Sequence, residues 1–237
     1  MERLDKRLAA TGKWSRKEAR ELIRAGRAAV DGQVCRTPEQ KVGEEDAVTV
    51  DGVPIGPQGP VYLMLNKPAG VVSSTAEPGE RTVLDLLGEE YQNLGIFPAG
   101  RLDKDTEGLL LLTNEGPLAH ALLSPKRHVD KIYYARVDGC LNAADCAAFA
   151  EGLSLDGGLQ CLPAALELPP EGGGREALVT LREGKFHQVK RMLAARGAPV
   201  VYLERIQMAG LALDRSLPRG GFRFLTEDEL AILHNLV

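Results

Sequence analysis

The amino-acid sequence predicts an α+β protein with a small N-terminal module and a larger second domain. Apolar runs typical of β-strands outnumber those that a simple βαβ alternation would give. A connector with three prolines and two glycines, 53–60, separates a basic beginning from a mildly acidic body. The 237 residues suffice for one large and one small domain. We therefore expect domains at 1–55 and 61–237, joined by a linker at 56–60.

The first predicted elements are two helices, and residues typical of helix ends indicate where they begin and end. Leu4 and Leu8 mark a short helix that Gly12 ends. Ser15 and Glu18 have the spacing of a capping box, in which each side chain accepts a hydrogen bond from the other's backbone amide. A second helix is therefore predicted to begin at this point, with its inward side formed by Ala19, Leu22 and Ile23.

Two short strands are predicted after the second helix, which Gly26 ends. The sequence Ala28-Ala29-Val30 is followed by Asp31-Gly32, a strand and a tight turn. The same pattern returns in Val48-Thr49-Val50 and Asp51-Gly52. A helix-plus-strand module of 55 residues accounts for these signals.

Charge is distributed unevenly along the chain. The net charge of −4 argues against nucleic-acid binding, but residues 1–30 carry nine basic side chains against four acidic ones. Arg16, Arg20, Arg24 and Arg27 follow each other at helical spacing and form one predicted stripe. Such a stripe is either a solvated helix face or a surface for phosphates. We favour the second interpretation, with candidate RNA contacts at Arg16, Lys17, Arg20 and Arg24.

The second domain is predicted to mix strands with helices. Four leucines at 109–112 form an apolar run typical of a strand buried on both faces. Residues 169–175 are predicted to form a surface loop. Further strands are expected at 61–65, 131–137 and 177–182, and helices at 82–87, at 189–196 and after Thr226.

Several classes of protein are disfavoured. No apolar run approaches the roughly 20 residues that cross a bilayer, and the charged N-terminus lacks a secretory signal. The four cysteines form no CxxC pair and the four histidines no HExxH motif, so we expect free thiols and no metal. No cofactor motif is present. We expect a cytoplasmic protein without a membrane partner, and a monomer, since nothing demands an oligomer.

The most informative segment is a charged loop, 99–108, that precedes the four leucines. A rigid strand behind a polar loop suits an active site, although a solvated surface turn is the alternative. Arg101-Leu102-Asp103 followed by Thr-x-Gly-Leu-Leu resembles the signature loop of the RluA and RsuA families of RNA pseudouridine synthases. Further stretches resemble these families in the same order, at 65–70, 123–125, 131–133 and 183–192.

The beginning of the chain resembles the S4 RNA-binding module that precedes the catalytic domain in RsuA-type enzymes. This resemblance rests on Arg3-Leu4-Asp5-Lys6, Ser15-Arg16 and Val30-Asp31-Gly32. It implies an S4-like module at 1–55. For 61–237 it implies a pseudouridine synthase domain built on a mixed, mainly antiparallel sheet flanked by helices.

The resemblance assigns the catalytic carboxylate to Asp103. Isomerising a uridine breaks its glycosidic bond, and an ionised carboxylate beside C1′ can act as nucleophile or base without a cofactor. In an enclosed pocket a carboxylate takes up a proton unless a cation keeps it ionised. Lys190 and Arg191 are the candidates, and since they lie about 100° apart on a helix, only one can point at Asp103.

Four further residues receive roles from the resemblance. Tyr133 matches an active-site tyrosine that stacks on the target base and moves a proton, with a core aromatic as the alternative. Arg101 matches an arginine that fills the gap left by the flipped nucleotide, with a phosphate contact as the alternative. Lys67 and His187 are assigned to positioning of the RNA backbone or to pocket structure.

Details within the RsuA-type group favour the enzyme that acts on small-subunit ribosomal RNA. The sequences at 72–75 and 122–125 resemble that member, as does His-Gln-Val-Lys-Arg-Met at 187–192, where large-subunit relatives read Arg-Gln-Val-Arg-Arg-Met. The expected substrate is 16S rRNA, at the uridine 516 type of site. The alternatives are a synthase for 23S rRNA and a non-catalytic S4-type RNA-binding or ribosome-assembly factor. The intact loop at Asp103 counts against the last.

Overall fold

The computed structural model describes residues 1–11, 13–43, 46–55, 60–88, 91 and 94–236. These residues form two compact units, one of Met1–Val61 with Leu87–Ile96 and one of Tyr62–Leu86 with Phe97–Val237. Gly12, predicted to end the first helix, and residues 56–59 of the predicted linker lie outside the described residues. Within the described ranges, no helix is long and apolar enough to cross a membrane.

The first unit packs two helices against short strands. Helix α1 spans Leu4–Ala10 and helix α2 spans Arg16–Arg24. The strands are β1 (Glu2–Arg3), β2 (Ala28–Val30), β3 (Gln33–Cys35), β4 (Lys41–Val42), β5 (Val48–Val50) and β6 (Val53–Ile55). An antiparallel sheet has the order β3-β2-β5-β6, and β1 pairs with β4. Apolar side chains from α1, α2 and this sheet form one buried cluster.

Helix α2 begins at the predicted capping box. The amide of Glu18 donates to Ser15 Oγ over 3.3 Å, and the amide of Ser15 donates to Glu18 Oε2 over 2.7 Å. Gly26 follows the helix with a φ of +74°, the left-handed conformation that ends helices at low cost. The predicted inward side of the helix is confirmed by the burial of Ala19, Leu22 and Ile23.

The repeated strand-and-turn pattern is confirmed, whereas the predicted connector is wrong at its beginning. Asp31 and Asp51 adopt φ values of +51° and +52°, each followed by glycine at +78°, as hairpin turns require. The second turn leads into β6, which pairs with β5. Residues 53–55 are therefore a strand, and Pro54 is tolerated there because β6 lies at the edge of its sheet.

The second unit is built on a large sheet. The strands of this sheet are β7 (Tyr62–Lys67), β8 (Phe97–Pro98), β9 (Glu107–Thr113), β10 (Lys131–Val137), β13 (Ala165–Glu167), β14 (Glu176–Leu181), β15 (Val200–Met208), β16 (Leu211–Ala212) and β17 (Phe222–Phe224). A separate hairpin pairs β11 (Ser154–Leu155) with β12 (Leu159–Gln160). The main sheet has the order β13-β14-β10-β15-β9-β7-β17, with β8 beside β9 and β16 beside β15. Among its described pairs only β9 and β15 run parallel, so the expected mixed, mainly antiparallel sheet is confirmed.

Helices cover this sheet and bury its inner strand β9. They are α3 (Gly116–Leu123), α4 (Ala143–Glu151), α5 (Gln188–Ala194) and α6 (Glu227–His234). All four leucines of 109–112 are buried, which confirms the predicted strand. Leu109 and Leu111 pack in one cluster with Leu118 and Leu122 of α3 and Leu233 of α6. Strand β9 is thus a fixed support for the charged loop that precedes it.

The predicted helix at 82–87 is wrong. Thr82 forms an isolated parallel bridge with Val72, and within the described stretch 82–88 the helical structure is a single 3₁₀ turn at Leu84–Leu86. The carboxylate of Asp85 accepts hydrogen bonds from the amide and the hydroxyl of Thr82, at 2.7 and 3.0 Å. This local bonding closes a turn in place of a continuing helix. The other predicted helices exist, α5 at Gln188–Ala194 and α6 behind its Thr226 cap.

Candidate active site

A pocket opens in the second unit where four segments meet. They are the charged loop ahead of β9, strand β10, strand β15, and the segment that runs from the end of β14 into α5. The apolar side of the pocket is formed by Leu102, Leu181, Val189 and Leu203. Its polar side chains belong to Arg101, Asp103, Thr106, Tyr133, Glu183, Lys185, His187, Gln188 and Lys190. Five of the predicted site residues therefore line one pocket: Arg101, Asp103, Tyr133, His187 and Lys190.

Lys190 is the cation that faces the predicted catalytic carboxylate. Its Nζ lies 3.2 Å from Asp103 Oδ2, and both side chains are mostly shielded from solvent, with 21% and 27% exposed. Arg191 turns away, and its Nη2 donates to the backbone oxygen of Asp156 over 2.6 Å. The angular offset between successive residues of α5 explains why only one of the two reaches Asp103.

Lys190 also contacts a second carboxylate. Its Nζ lies 2.5 Å from Asp105 Oδ1, and this hydrogen bond holds the pKa of Asp105 below its usual range. On the other side of the site, Nε2 of His187 lies 3.5 Å from Asp103 Oδ1. Asp103 is thus flanked by a lysine and a histidine, and the lysine is shared with Asp105.

Lys67 supports the charged loop from beneath. Its side chain is fully buried at the end of β7, and its ammonium donates to the carbonyls of Asp103, Lys104 and Thr106 at 3.0, 3.3 and 2.8 Å, and to that of Pro68 at 3.1 Å. Burial lowers its pKa to about 8. A contact of Lys67 with the RNA backbone, one of its two expected roles, stays a prediction, and its ammonium is already bonded to four carbonyls. Pocket structure is the role that its position supports.

Two further features hold the same loop in place. The hydroxyl of Ser73 donates to the Leu102 carbonyl over 2.9 Å and accepts from the Leu102 amide over 3.1 Å. Gly108 has a φ of +98°, and a Cβ there would lie 2.4 Å from the backbone oxygen of Arg205 on β15. Only glycine lets the parallel strand approach so closely at the point where the loop enters β9.

Tyr133 and Arg101 occupy different parts of the pocket. Tyr133 is 9% exposed and projects from β10 into the pocket, whereas Tyr134 faces the other side of the sheet and packs edge-on against Tyr202. Arg101 lines the pocket with an exposed side chain. The alternation along the strand therefore places one of the two neighbouring tyrosines at the site.

The segment before α5 is held by contacts that the sequence did not indicate. Glu183 is 8% exposed, and its Oε1 accepts from Gln188 Nε2 over 2.6 Å and from the Leu162 amide over 2.9 Å. Gln188 Oε1 in turn accepts from the Lys185 amide over 2.9 Å. Sequence reasoning also missed Thr106, whose buried hydroxyl lines the pocket and has no hydrogen-bond partner among the described residues.

Comparison with known proteins identifies the family. The family model described as RNA pseudouridylate synthase matches residues 61–195, and that of the S4 domain matches residues 2–48. The chain belongs to the RNA pseudouridylate synthase family. All residues that line the pocket except Leu203 lie within the matched part of this synthase, and the first unit contains the S4 domain.

Relatives resemble this synthase over nearly its whole length. An uncharacterized RNA pseudouridine synthase, YtzG of Bacillus subtilis (strain 168), is 44% identical over 234 residues, covering 98% of each chain. The ribosomal small subunit pseudouridine synthase A of Vibrio cholerae is 41% identical over 231 residues, 97% of this chain and 98% of the relative. A crystal structure of a pseudouridylate synthase is 33% identical, covers both chains completely and superposes with a TM-score of 0.69.

In the S4 domain of the synthase, three arginines surround the buried carboxylate of Asp5. Asp5 is inaccessible to solvent, and its Oδ2 lies 2.9 Å from Arg3 Nη2, 2.8 Å from Arg20 Nε and 3.7 Å from Arg16 Nε. These contacts hold the pKa of Asp5 far below its usual range. Arg16 and Arg20 remain about half exposed, at 53% and 41%. They are therefore both anchored and accessible.

The predicted stripe of four arginines is wrong at its last member. Helix α2 ends at Arg24, so Arg27 leaves the helix and pairs with Asp51 at 2.5 Å. Lys17 and Arg24 are exposed on the helix. The accessible basic side chains of α2 are thus the four predicted RNA contacts, Arg16, Lys17, Arg20 and Arg24.

Proposed function

We propose that this synthase converts one uridine of small-subunit ribosomal RNA into pseudouridine, with the carboxylate of Asp103 as its catalytic group. The observation that carries the proposal is the pair of Asp103 and Lys190, 3.2 Å apart in a pocket that Tyr133 also lines. The choice of the small subunit is supported by relatives named ribosomal small subunit pseudouridine synthase A.

The reaction exchanges one bond for another at the same sugar. The bond from N1 to C1′ breaks, the base turns over, and a bond from C5 to C1′ forms, while C5 loses its hydrogen and N1 gains one. An ionised carboxylate beside C1′ either attacks this carbon or removes a proton from the ribose. Asp103 supplies this carboxylate, and Lys190 places a positive charge 3.2 Å from its Oδ2.

The other pocket residues act on the base and on the RNA. Tyr133 offers its ring to the flipped uracil, and its hydroxyl to a proton on the base. Arg101, exposed at the pocket, occupies the space that the uridine leaves in the RNA, where a planar guanidinium can stack between bases. His187, which lies 3.5 Å from Asp103, and Arg191, on helix α5, contact the RNA backbone near the target in this proposal.

The first unit contributes affinity. Arg16, Lys17, Arg20 and Arg24 present positive charge that neutralises phosphates and releases their counterions. Residues 1–55 thus serve as an RNA-docking module joined by the linker 56–60 to the catalytic part. The protein acts as a cytoplasmic monomer in this proposal, and light scattering on the protein with and without RNA checks its oligomeric state.

The function is tested with ribosomal RNA that lacks pseudouridine. After incubation with the protein, carbodiimide treatment and reverse transcription mark each new pseudouridine as a stop. One stop in 16S rRNA is expected for the wild type and none for Asp103→Asn, while the matched variant Asp105→Asn keeps its stop. A stop in 23S rRNA instead would contradict the small-subunit target, and no stop at all would indicate a non-catalytic RNA-binding factor. Near-wild-type turnover of Asp103→Asn would refute the assignment of the carboxylate.

A further inference from the structure

An aromatic side chain without a place in the core stands beside the active-site pocket. Phe186 is 76% exposed, although its neighbours in sequence, Lys185 and His187, both line the pocket. An exposed phenylalanine ring loses the favourable free energy of burial, and this cost is recovered if the ring is covered during function. The position of Phe186 places such a contact at the mouth of the pocket.

The segment that carries Phe186 is held firmly. Glu183 and Gln188 bond to each other on one side of it, and the Lys185 amide donates to Gln188 Oε1 over 2.9 Å. The ammonium of Lys185 pairs with Glu183 Oε2 at 2.9 Å and also reaches the Gln160 carbonyl. Phe186 is therefore presented outward by a braced turn, so little conformational entropy is lost when a partner covers its ring.

His187 supports the ring from behind. The centroids of the Phe186 and His187 rings lie 3.8 Å apart, and their planes are inclined by only 19°. His187 adopts a φ of +51°, a left-handed conformation that few non-glycine residues take. Because His187 Nε2 is 3.5 Å from Asp103 Oδ1, the stacked pair extends from the catalytic carboxylate to the outside of the protein.

The charges around Phe186 favour a nucleic-acid partner over an apolar peptide. Lys185, Lys190 and Arg101 line the adjoining pocket, and Arg191 is on the helix that follows. Aromatic rings and cations on one surface are the usual arrangement for binding single-stranded RNA, in which bases stack on the rings while cations contact the phosphates. Flipping a uridine also unstacks its neighbours and exposes their faces.

We infer that Phe186, backed by His187, is a stacking platform for the base next to the target uridine. The inference rests on the proposed function, since it requires a flipped nucleotide in the pocket. Phe186 is a positioning residue in this role. It contacts a neighbouring base and not the reacting atoms, so it acts on RNA binding more than on the chemical step.

The experiment measures kcat and KM on an RNA fragment that contains the uridine modified by the wild-type protein. Phe186→Ala is expected to raise KM roughly 5- to 100-fold, the range that stacking on one aromatic ring supplies, with kcat within about twofold. Phe186→Leu should behave like Phe186→Ala, and Phe186→Trp like the wild type. Phe224→Ala is the matched control, because Phe224 is 55% exposed on β17 at the opposite end of the sheet from β14.

Two modified fragments identify the partner, one abasic on the 5′ side of the uridine and one abasic on the 3′ side. On one of them the wild type and Phe186→Ala should have equal KM, since the base that stacks is gone. A KM for Phe186→Ala equal to that of the wild type on native RNA, or a difference that persists on both abasic fragments, would overturn the inference. A wild-type protein that makes no pseudouridine would instead overturn the proposed function before any variant is compared.

Discussion

The ammonium of Lys190 lies 3.2 Å from Asp103 Oδ2 and at the same time 2.5 Å from Asp105 Oδ1. One cation thus serves two carboxylates of the same loop, only one of which is proposed to react. Asp105 is 73% exposed and Asp103 27%, so the pairing with Asp103 occurs in the less polar surroundings. A charge contact is stronger where water is excluded.

Replacing this cation should slow the chemical step. Lys190→Met is expected to lower the single-turnover rate about 10- to 100-fold, because the ion pair that faces Asp103 is lost; this range corresponds to about 1.4–2.7 kcal/mol in the barrier. Lys190→Arg should retain most of the rate, since the charge stays beside Asp103. The rate is measured directly by the release of tritium from RNA whose uridines carry tritium at C5.

Arg191→Met is the matched control for that prediction. Arg191 follows Lys190 on α5 but bonds to the Asp156 backbone instead of Asp103. Its loss should weaken RNA binding without changing the single-turnover rate at saturating protein. Equal rate losses in Lys190→Met and Arg191→Met would contradict a specific role for Lys190.

The buried ammonium of Lys67 predicts an alkaline limit to activity. Burial lowers its pKa to about 8 from 10.5, against the opposing effect of Asp105, Glu107 and Asp103. Above pH 8 the neutral amine has two hydrogens for four carbonyls, and the loop of Asp103 loses support. The single-turnover rate should fall roughly 3- to 10-fold between pH 7 and 9.5, consistent with about one lost hydrogen bond.

The pH dependence of the free energy of unfolding distinguishes this local effect from unfolding of the protein. Because the pKa of Lys67 is lower in the folded protein, the unfolded chain binds more protons between pH 8 and 10.5, and this group adds stability as pH rises.

Lys67→Met should have a lower single-turnover rate at pH 7, and this rate should show no further fall up to pH 9. Lys131→Met is the control, since burial also lowers its pKa to about 8 but its ammonium bonds to the Val129 carbonyl. It should keep the alkaline fall; a fall that persists in Lys67→Met would refute the assignment.

The buried carboxylate of Asp5 should determine the stability of the first unit. Asp5→Asn is expected to lower its free energy of unfolding by about 1–3 kcal/mol, because charged hydrogen bonds from Arg3 and Arg20 are lost. Trp14, the single tryptophan, packs against the core of this unit and reports its unfolding in urea by fluorescence.

The pH dependence of the first unit has a definite sign. Since the pKa of Asp5 is lowered in the folded protein, its stabilisation is present above about pH 4 and is lost as the pH falls further. Asp51→Asn is the control, as the pair of Asp51 with Arg27 is about half exposed and solvent screens its contribution to stability. If both variants unfold at the same urea concentration, Asp5 has no special part in stability.

Local signals in the sequence were sufficient for several elements. The capping boxes at Ser15 and Thr226 involve four consecutive residues each, so their hydrogen bonds follow from spacing alone. The run 109–112 is apolar on both faces and forms a central strand for that reason. The helix predicted at 82–87 is wrong because the prediction rested on the spacing of apolar residues alone. The hydrogen bonds that Thr82 donates to Asp85 compete with a helix, and that spacing does not reveal them.

Non-local contacts could not be predicted in this way. Lys67 is separated by 36 residues from Asp103, whose carbonyl it bonds, and nothing in its own segment indicates that partner. Glu183 likewise bonds to the Leu162 amide, 21 residues earlier. The sequence alone does not decide between Lys190 and Arg191, because packing decides which side of α5 faces the loop. The family resemblance assigns Lys67, Lys190 and Arg191 to the site, and tertiary packing determines which atoms they contact.

The salt dependence of RNA binding tests which cations of the first unit contact phosphates. Lys17 and Arg24 are exposed on α2, whereas Arg27 leaves the helix and pairs with Asp51. Replacing Lys17 and Arg24 together by Gln should weaken binding and reduce the slope of log K against log salt by about 1 per lost contact. Arg27→Gln should leave the slope unchanged. The slopes come from filter-binding titrations at several salt concentrations, and equal slopes for the wild type and the double variant would place the RNA on another surface.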